Sequence, residues 1–366
     1  MIYIMNQTQK IRIGIIGCGS AAFSKHLPAI NKVPEIEVAA LCDLHRDKAE
    51  TAARIYGGGK ADVYTDYKKM LEDKTIDAVH VCTQNIYHCP ITIDALEAGK
   101  HVLCEKPMAT TSEDALKMIE ASKRTGKKLT VGYQTRMSNE VLYLKSESEK
   151  GTFGDIYYAR AIALRRRAVP TWGNFIEKEY QGGGPLIDIG SHSLDLTLWI
   201  MNNYKPKYCL GTSYRKLIEQ GGAGNAWGPW DVDRFTAEDS AFGFVVMENG
   251  ATVSVESSWA LNLLDAREAT TVLCGTLAGG DIVSGVRING VRDDKLYVQR
   301  QDFNNIVNPV YTDEMYVSPA EREAHSWALS IINDTDPVVL PEQAYCVTRI
   351  LEGIYKSAET GDIYRF

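Results

Sequence analysis

A glycine-rich loop, a lysine and a histidine flanked by aspartates have types and spacing that could do chemistry in this chain of 366 residues. Amide groups around the glycines could bind phosphate, because glycine lets the backbone approach an anion closely. The ammonium of Lys106 could stabilise a negatively charged oxygen, and the imidazole of His192 could accept a proton near neutral pH. Together these groups are suited to removing a hydride and a proton from an alcohol.

The loop consists of Gly17, Gly19, Ser20, Ala21 and Ala22. It follows a predicted strand and precedes a predicted helix, as in the G-x-G-x-x-G/A fingerprint of dinucleotide-binding folds. The first glycine permits the turn, the second admits the pyrophosphate, and the helix N-terminus near Ser20 favours the anion. The alternative is a plain strand-to-helix turn.

Asp43 ends the second predicted strand, where a carboxylate can accept hydrogen bonds from both ribose hydroxyls and repel a 2′-phosphate. The sequence therefore favours NAD as the cofactor over NADP. Arg46 leaves NADP open, since a guanidinium at this position could pair with the phosphate. A helix-capping role is the other interpretation of Asp43.

Further cofactor contacts are expected after the fourth and fifth predicted strands, because carboxyl ends of parallel strands meet at one edge of a sheet. Thr83, Asn85 and His88 could bind the nicotinamide half through polar side chains, although His88 could equally cap a helix. Glu105 and Lys106 follow the fifth strand. Lys106 would reach the nicotinamide ribose and the substrate, where its charge could stabilise an alkoxide; a surface lysine is the alternative.

The segment that begins at Pro185 carries the acid–base candidates. If it is helical, Asp188, His192 and Asp195 lie at i, i+4 and i+7 on one face. His192 is the expected base, Asp188 would orient the imidazole or the substrate, and Asp195 is a candidate substrate contact. Gly190 destabilises a helix interior, which indicates close approach by a ligand or by backbone. A buried core histidine is the alternative for His192.

All six tryptophans lie beyond residue 170. An indole can cover the apolar face of a sugar ring while keeping a polar N–H group. Trp172 and Trp230 are therefore candidate sugar contacts. Arg166, in a run of three arginines, is a candidate hydrogen-bond donor to the same ligand. Positions in the core are the alternative for the tryptophans.

Apolar strands alternating with amphipathic helices predict an α/β fold in residues 1–135, a Rossmann domain with a doubly wound parallel sheet. Its predicted strands are Ile11–Ile16, Glu37–Cys42, Asp62–Tyr64, Ala78–Cys82, His101–Leu103 and Lys128–Gly132. Longer alternating strands predict an α+β domain with an open, mostly antiparallel sheet in residues 136–366. These are Ile156–Leu164, Lys207–Arg215, Ser240–Met247, Thr252–Trp259 and Ala269–Cys274. The stretches Pro319–Ile332 and Pro341–Ala358 are predicted to be amphipathic helices, and we expect a C-terminal helix to pack back on the first domain.

The composition, with 45% hydrophobic and 24% charged residues, is that of a globular protein. A net charge of −7 makes nucleic acid and anionic membranes poor partners. The apolar N-terminal run is too short for a signal peptide and no run could span a bilayer, so a cytoplasmic location is expected. The eight cysteines form no C-x-x-C pairs, which predicts buried thiols, a reducing compartment and no metal site.

The motifs together resemble the Gfo/Idh/MocA family of nicotinamide-dependent oxidoreductases over essentially the whole chain. The family's glycine-rich loop, E-K-P triplet and G-G-G-x-x-x-D-x-G-x-H-x-x-D segment are matched by Gly17–Ala22, Glu105–Pro107 and Gly182–Asp195. The resemblance implies that Lys106, Asp188 and His192 form the catalytic group. It also implies that the C-terminal sheet builds a homo-oligomer, a dimer, a tetramer or a larger assembly.

The stretches 165–173 and 258–260 are most similar to branches of this family that act on sugars and glycosides. The sequence therefore predicts an NAD-dependent dehydrogenase that oxidises a ring hydroxyl, most readily at C3, of a sugar or glycoside. The alternatives are a cyclitol dehydrogenase, a glycosidase that oxidises, eliminates and reduces back, and a cofactor-binding regulator without turnover. Catalytic groups such as Lys106 and His192 count against the regulator.

Overall fold

The computed structural model describes residues 10–301, 303 and 316–366. Contacts between residues divide this part of the chain into two units. Unit 1 contains residues 10–108, 113–134 and 316–341, and unit 2 contains residues 109–112, 135–301, 303 and 342–366. The chain therefore passes between the units several times.

Strands and helices are numbered in chain order over the described residues. The strands are β1 (Ile11–Ile16), β2 (Ile36–Cys42), β3 (Asp62–Tyr64), β4 (Ala78–Val81), β5 (His101–Cys104), β6 (Leu129–Val131), β7 (Ile156–Leu164), β8 (Pro206–Tyr214), β9 (Ser240–Met247), β10 (Thr252–Ser258), β11 (Arg267–Gly275), β12 (Ala278–Asp281), β13 (Val286–Arg292), β14 (Lys295–Gln301) and β15 (Tyr364–Arg365). The α-helices are α1 (Leu27–Ile30), α2 (Arg46–Tyr56), α3 (Tyr67–Leu71), α4 (His88–Glu97), α5 (Ser112–Thr125), α6 (Asn139–Glu149), α7 (Lys178–Gln181), α8 (Ser191–Met201), α9 (Pro319–Ile332) and α10 (Pro341–Thr360).

Unit 1 is built on a parallel six-stranded sheet in the order β3-β2-β1-β4-β5-β6. Its central strands are buried on both faces, which explains why β1 and β4 are apolar apart from Arg12 and His80. The strand order reverses between β1 and β4, and ligands of such sheets bind at the carboxyl ends beside this point. The prediction of a doubly wound parallel sheet is confirmed.

Helix α9 belongs to unit 1, although it lies near the end of the chain. It packs against α1. The ammonium of Lys32 donates a 2.7 Å hydrogen bond to Oε1 of Glu321 on α9. A capping box at Ser318 and Glu321 satisfies amides at the N-terminus of this helix.

Unit 2 contains a nine-stranded sheet in the order β14-β13-β12-β11-β7-β10-β9-β8-β15. Only β7 and β10 pair in parallel among its described strands, so the predicted open and mostly antiparallel sheet is confirmed. Gly211 on β8 and Gly243 on β9 admit Ile354 of α10, whose atoms a Cβ at either position would strike. One face of the sheet is thus closely packed, and the opposite face exposes side chains such as Phe244.

Sequence patterns did not predict α6 or strands β12–β14. Strand β14 and the second half of β13 are mostly exposed, so these stretches lack the apolar alternation by which a half-buried strand is recognised. None of the helices in the described ranges is long and apolar enough to cross a membrane.

Candidate active site

The glycine-rich loop of unit 1 has the geometry that a dinucleotide requires. Gly17 has φ +92°, and a Cβ there would lie 2.6 Å from the carbonyl oxygen of Cys82. No atom lies within 4 Å of a Cβ built on Gly19, which leaves room for a phosphate. Ala22 is buried in the helical stretch that starts at Ser20, where a larger side chain would separate helix and sheet. These residues fit the pyrophosphate of NAD.

Asp43 lies directly beside this loop. Its Oδ2 accepts a 2.9 Å hydrogen bond from the amide of Cys18, and its Oδ1 accepts one of 2.8 Å from the amide of His45. The carboxylate is thereby fixed, and its oxygens keep lone pairs for ribose hydroxyls. The guanidinium of Arg46 is bonded to Oε1 of Glu50 at 2.8 Å, so its charge is already paired within α2.

Thr83 and Asn85 follow β4 and are half-buried. His88, by contrast, is fully buried, with Nδ1 2.8 Å from the carbonyl oxygen of Pro107 and Nε2 3.1 Å from that of Thr83. Burial lowers the pKa of His88. The expectation that His88 contacts the nicotinamide is therefore corrected, because its ring joins the loops that follow β4 and β5.

The side chain of Glu105 is buried and hydrogen-bonded within unit 1. It is 7% exposed, and its Oε1 accepts hydrogen bonds of 2.6 Å from both Nζ of Lys25 and Nε2 of His26. Its Oε2 accepts the amide of Lys106 at 3.0 Å. The expectation of a cofactor contact is corrected for this residue, because the buried carboxylate holds the backbone of the loop that carries Lys106.

Lys25 was missed by sequence reasoning. Burial acts to lower the pKa of Lys25, but the charges of Glu105 and Glu323 outweigh it and raise that pKa. Burial likewise acts to raise the pKa of Glu105, but Lys25 and His26 hold it well below its ordinary value. Both groups are therefore charged. The signal available beforehand was the adjacent Lys25 and His26 in a mostly apolar helical stretch.

In unit 2 the residues 185–201 are helical, as predicted, but Leu186–Gly190 form a π-helical turn before α8 begins. Between residues 183 and 198 every side chain is buried except those of Asp188 and His192. The fold therefore leaves only these two side chains of the stretch partly exposed. The close approach predicted at Gly190 is made by Ser257, whose Oγ lies 2.3 Å from a Cβ built there.

Two neighbours orient the surface-facing pair. The indole nitrogen of Trp259 donates a 3.0 Å hydrogen bond to Oδ2 of Asp188. Oγ1 of Thr135 lies 3.3 Å from Nδ1 of His192. If Nδ1 donates to this hydroxyl, Nε2 is left unprotonated and able to accept a proton. Sequence reasoning did not identify either neighbour, since they are distant along the chain.

Asp195 has a role other than the expected substrate contact. It is 1% exposed, and its two oxygens accept hydrogen bonds of 2.6 and 2.8 Å from the guanidinium of Arg136. The expectation is corrected, because a carboxylate buried in a two-pronged ion pair is closed to a ligand. The pair fixes α8 to the turn that carries Thr135.

Glu238 supports the start of the same helical segment. Its carboxylate accepts hydrogen bonds from the amides of Gly184 at 2.8 Å and Leu186 at 3.2 Å. It also accepts one from the hydroxyl of Tyr355 at 2.7 Å. A Cβ at Gly183 would lie 2.2 Å from that hydroxyl. Gly183 and Gly184 are therefore required by close packing against Tyr355 and Glu238.

The candidate sugar contacts divide into two classes. Trp230 is 5% exposed and its indole nitrogen donates to the carbonyl of Ile218 at 2.7 Å, so it belongs to the core, and the expected ligand contact is corrected. Trp172 is 43% exposed. Arg166 is also exposed, and its carbonyl pairs with the amide of Leu261.

Lys106 lies in unit 1, whereas Asp188 and His192 lie in unit 2.

Two family models match this chain. An oxidoreductase family model described as an NAD-binding Rossmann fold matches residues 11–133. A model described as the GFO/IDH/MocA C-terminal domain matches residues 141–278. The glycine-rich loop and the E-K-P triplet lie within the first matched range, and Gly182–Asp195 lies within the second.

The chain is 32% identical over 353 residues to a D-glucoside 3-dehydrogenase of Escherichia coli (strain K12), covering 96% of each chain. It is 27% identical over 272 residues to a levoglucosan dehydrogenase of Pseudarthrobacter phenanthrenivorans, covering 68% of each. A solved levoglucosan dehydrogenase in complex with NADH and levoglucosan superposes with a TM-score of 0.79 at 21% identity, covering 98% of this chain and 99% of that chain. This last likeness establishes the fold.

Proposed function

Since the chain belongs to the Gfo/Idh/MocA family of oxidoreductases and uses NAD, we propose that it is a dehydrogenase that oxidises the C3 hydroxyl of a glycoside. The observation that carries this proposal is the similarity to a D-glucoside 3-dehydrogenase over 96% of both chains. The pair Asp188 and His192 supports it from the structure, because both side chains are partly exposed and lie four residues apart in one helical segment, where they can face the same substrate hydroxyl.

We propose that Lys106, Asp188 and His192 form the catalytic group. NAD⁺ supplies a hydride acceptor when it is bound. His192 takes the hydroxyl proton at Nε2, since its Nδ1 faces the hydroxyl of Thr135. Asp188, held by the indole of Trp259, accepts a hydrogen bond from the substrate and keeps the reacting hydroxyl oriented.

The role of Lys106 is electrostatic. As the proton leaves, negative charge grows on the substrate oxygen, and an ammonium stabilises this charge. Glu105 holds the amide of Lys106, which fixes where the side chain begins. The balanced change is loss of one hydride from C3 and one proton from its oxygen, which converts the alcohol into a ketone. No oxidant besides NAD⁺ is needed.

We further propose that the protein forms a homo-oligomer through the exposed face of its nine-stranded sheet. Leu210 and Phe244 are paired across β8 and β9 and are 47% and 51% exposed. Apolar side chains grouped on a sheet surface are typical of an interface. The eight unpaired thiols, seven of them buried, favour a reducing compartment, and we place the protein in the cytoplasm.

The function is tested with purified protein, NAD⁺ and a panel of methyl glucoside, glucose and inositol, with NADH formation as the signal. We expect methyl glucoside to be oxidised most efficiently and to release no methanol. Methanol release without net NADH would indicate the redox-elimination glycosidase instead. Oxidation of inositol alone would contradict the glycoside assignment.

A further inference from the structure

Two tryptophans of unit 2 remain exposed on well-fixed loops. Trp172 and Trp227 are each 43% exposed, whereas Trp230 and Trp259 of the same unit are 5% and 0% exposed. Indoles carry large apolar surfaces, and a protein that leaves two of them together in contact with water commonly uses them to bind. Their surroundings therefore indicate what they bind.

The two exposed indoles pack against one another. Their ring centroids are 5.0 Å apart at an interplanar angle of 76°. The hydroxyl of Thr171 donates a 2.8 Å hydrogen bond to the carbonyl of Trp227, and the side chain of Asn225 pairs with both the amide and the carbonyl of Val169. The loops are thus joined by hydrogen bonds, so the orientation of the indoles is set before any ligand arrives.

A guanidinium adds a third planar surface. The central carbon of the Arg165 guanidinium lies 5.2 Å from the ring centroid of Trp227, which is the geometry of a cation–π contact. Nε of Arg165 is bonded to Oε2 of Glu268 at 2.6 Å, and the arginine side chain is 16% exposed. Arg165, Trp172 and Trp227 are called the aromatic patch below.

Backbone and side-chain contacts connect the aromatic patch to Asp188. The amide of Arg165 pairs with the carbonyl of Ser258 at 2.9 Å, and the next residue, Trp259, donates its indole N–H to Asp188. Trp172 packs on Phe175 with ring centroids 5.8 Å apart, and Phe175 packs against the buried cluster that contains Trp259.

The electrostatic environment of Arg165 also connects the aromatic patch to Asp188. Burial acts to lower the pKa of Arg165, but the bond to Glu268 and the nearby charge of Asp188 raise it. The carboxylate proposed to hold the substrate is therefore close enough to act electrostatically on the arginine of the aromatic patch. Arg165 and Trp259 therefore link the aromatic patch to the carboxylate of Asp188.

We propose that the aromatic patch is an aglycone subsite that stacks a planar, aromatic aglycone while the sugar ring is presented to Asp188 and His192. This inference rests on the proposed function. Indoles set at a steep angle offer one face and one edge to a flat ring, and this arrangement suits an aromatic guest. A methyl aglycone has too little surface to use it.

The test compares kcat/KM for phenyl, cyclohexyl and methyl glucosides. For the wild-type protein we expect phenyl glucoside to exceed methyl glucoside by about tenfold, the size of a good aromatic contact, and to exceed cyclohexyl glucoside as well. Equal values for phenyl and cyclohexyl glucosides would overturn the claim of planarity. A disaccharide preferred over phenyl glucoside would assign the patch to a second sugar and also overturn it.

Substitutions of the two exposed tryptophans test whether the aromatic patch causes the preference for phenyl glucoside. Trp172→Ala and Trp227→Ala should each lower the ratio of phenyl to methyl glucoside toward one. Tyr157→Ala is the matched control, because Tyr157 is exposed at the opposite end of β7 from Arg165, and the ratio should not change. An unchanged ratio in both tryptophan variants would overturn the subsite. Failure of the wild-type protein to oxidise any glycoside would instead contradict the proposed function on which the subsite rests.

Discussion

The hydroxyl of Thr135 lies 3.3 Å from Nδ1 of His192, and the indole nitrogen of Trp259 lies 3.0 Å from the carboxylate of Asp188. Residue type, helical spacing and the family motif identified His192 and Asp188 as candidates. Their neighbours could not be identified in this way, because a threonine and a tryptophan more than fifty residues away carry no sequence mark of the contact. The proposed chemistry of the pair depends on these neighbours, because they orient the imidazole and the carboxylate.

Thr135→Val should lower kcat by about tenfold, because the imidazole loses the partner that fixes its tautomer. The KM for NAD⁺ should be nearly unchanged, since Thr135 has no expected cofactor role. Thr135→Ser retains the hydroxyl and should restore most of kcat. Steady-state kinetics of the three proteins provide the measurement. Equal kcat for the valine and serine variants would remove Thr135 from the mechanism.

Asp43 should make the enzyme selective for NAD, because its fixed carboxylate accepts ribose hydroxyls and repels a 2′-phosphate. Asp43→Ser should narrow the difference in kcat/KM between NAD and NADP by about tenfold or more. Glu72→Gln, which removes an exposed carboxylate elsewhere in unit 1, is the control and should leave this difference unchanged. A wild-type protein that prefers NADP would contradict the assignment of Asp43.

The elements explain why several predicted contacts were wrong. Glu105, His88 and Asp195 are polar residues near the predicted active site. Sequence position alone did not distinguish residues that contact a ligand from residues that only hold the fold together. The structure distinguishes them by burial: each is less than 10% exposed and bonded within its own unit. A buried polar group needs internal partners, and those partners depend on the tertiary fold.

The Lys25–Glu105 pair should support stability above acidic pH. Removing one member of a buried ion pair commonly costs about 3 kcal/mol or more, so Glu105→Gln should lower the free energy of unfolding by that amount at neutral pH. The folded-state pKa of Glu105 lies well below its ordinary value. Its contribution is therefore fully present above the unfolded pKa of about 4.3 and lost as pH falls through the folded-state pKa.

Urea unfolding of the wild type and Glu105→Gln at a series of pH values measures this contribution. The difference between the two proteins should shrink on acidification. Lys117→Met, which removes a surface lysine from α5, is a control that should change stability little. Equal stability of wild type and Glu105→Gln at neutral pH would show that the buried pair has no net effect.

For the whole molecule, alternating strands and helices were sufficient to predict the parallel sheet and the mostly antiparallel sheet, because each pattern reflects which strand faces are buried. The same patterns predicted α9 and α10. They could not tell that these consecutive helices belong to different units, since an amphipathic face specifies burial without specifying the partner.

The central claim is removal of a hydride from C3 of a glycoside. Methyl glucosides deuterated at single ring carbons, incubated with the enzyme and NAD⁺, test it directly when the NADH is examined by mass spectrometry. We predict deuterium in NADH only from the C3-labelled substrate, together with a slower hydride step for that substrate. Deuterium transferred from another ring carbon, or oxidation with no transfer from C3, would contradict the claim.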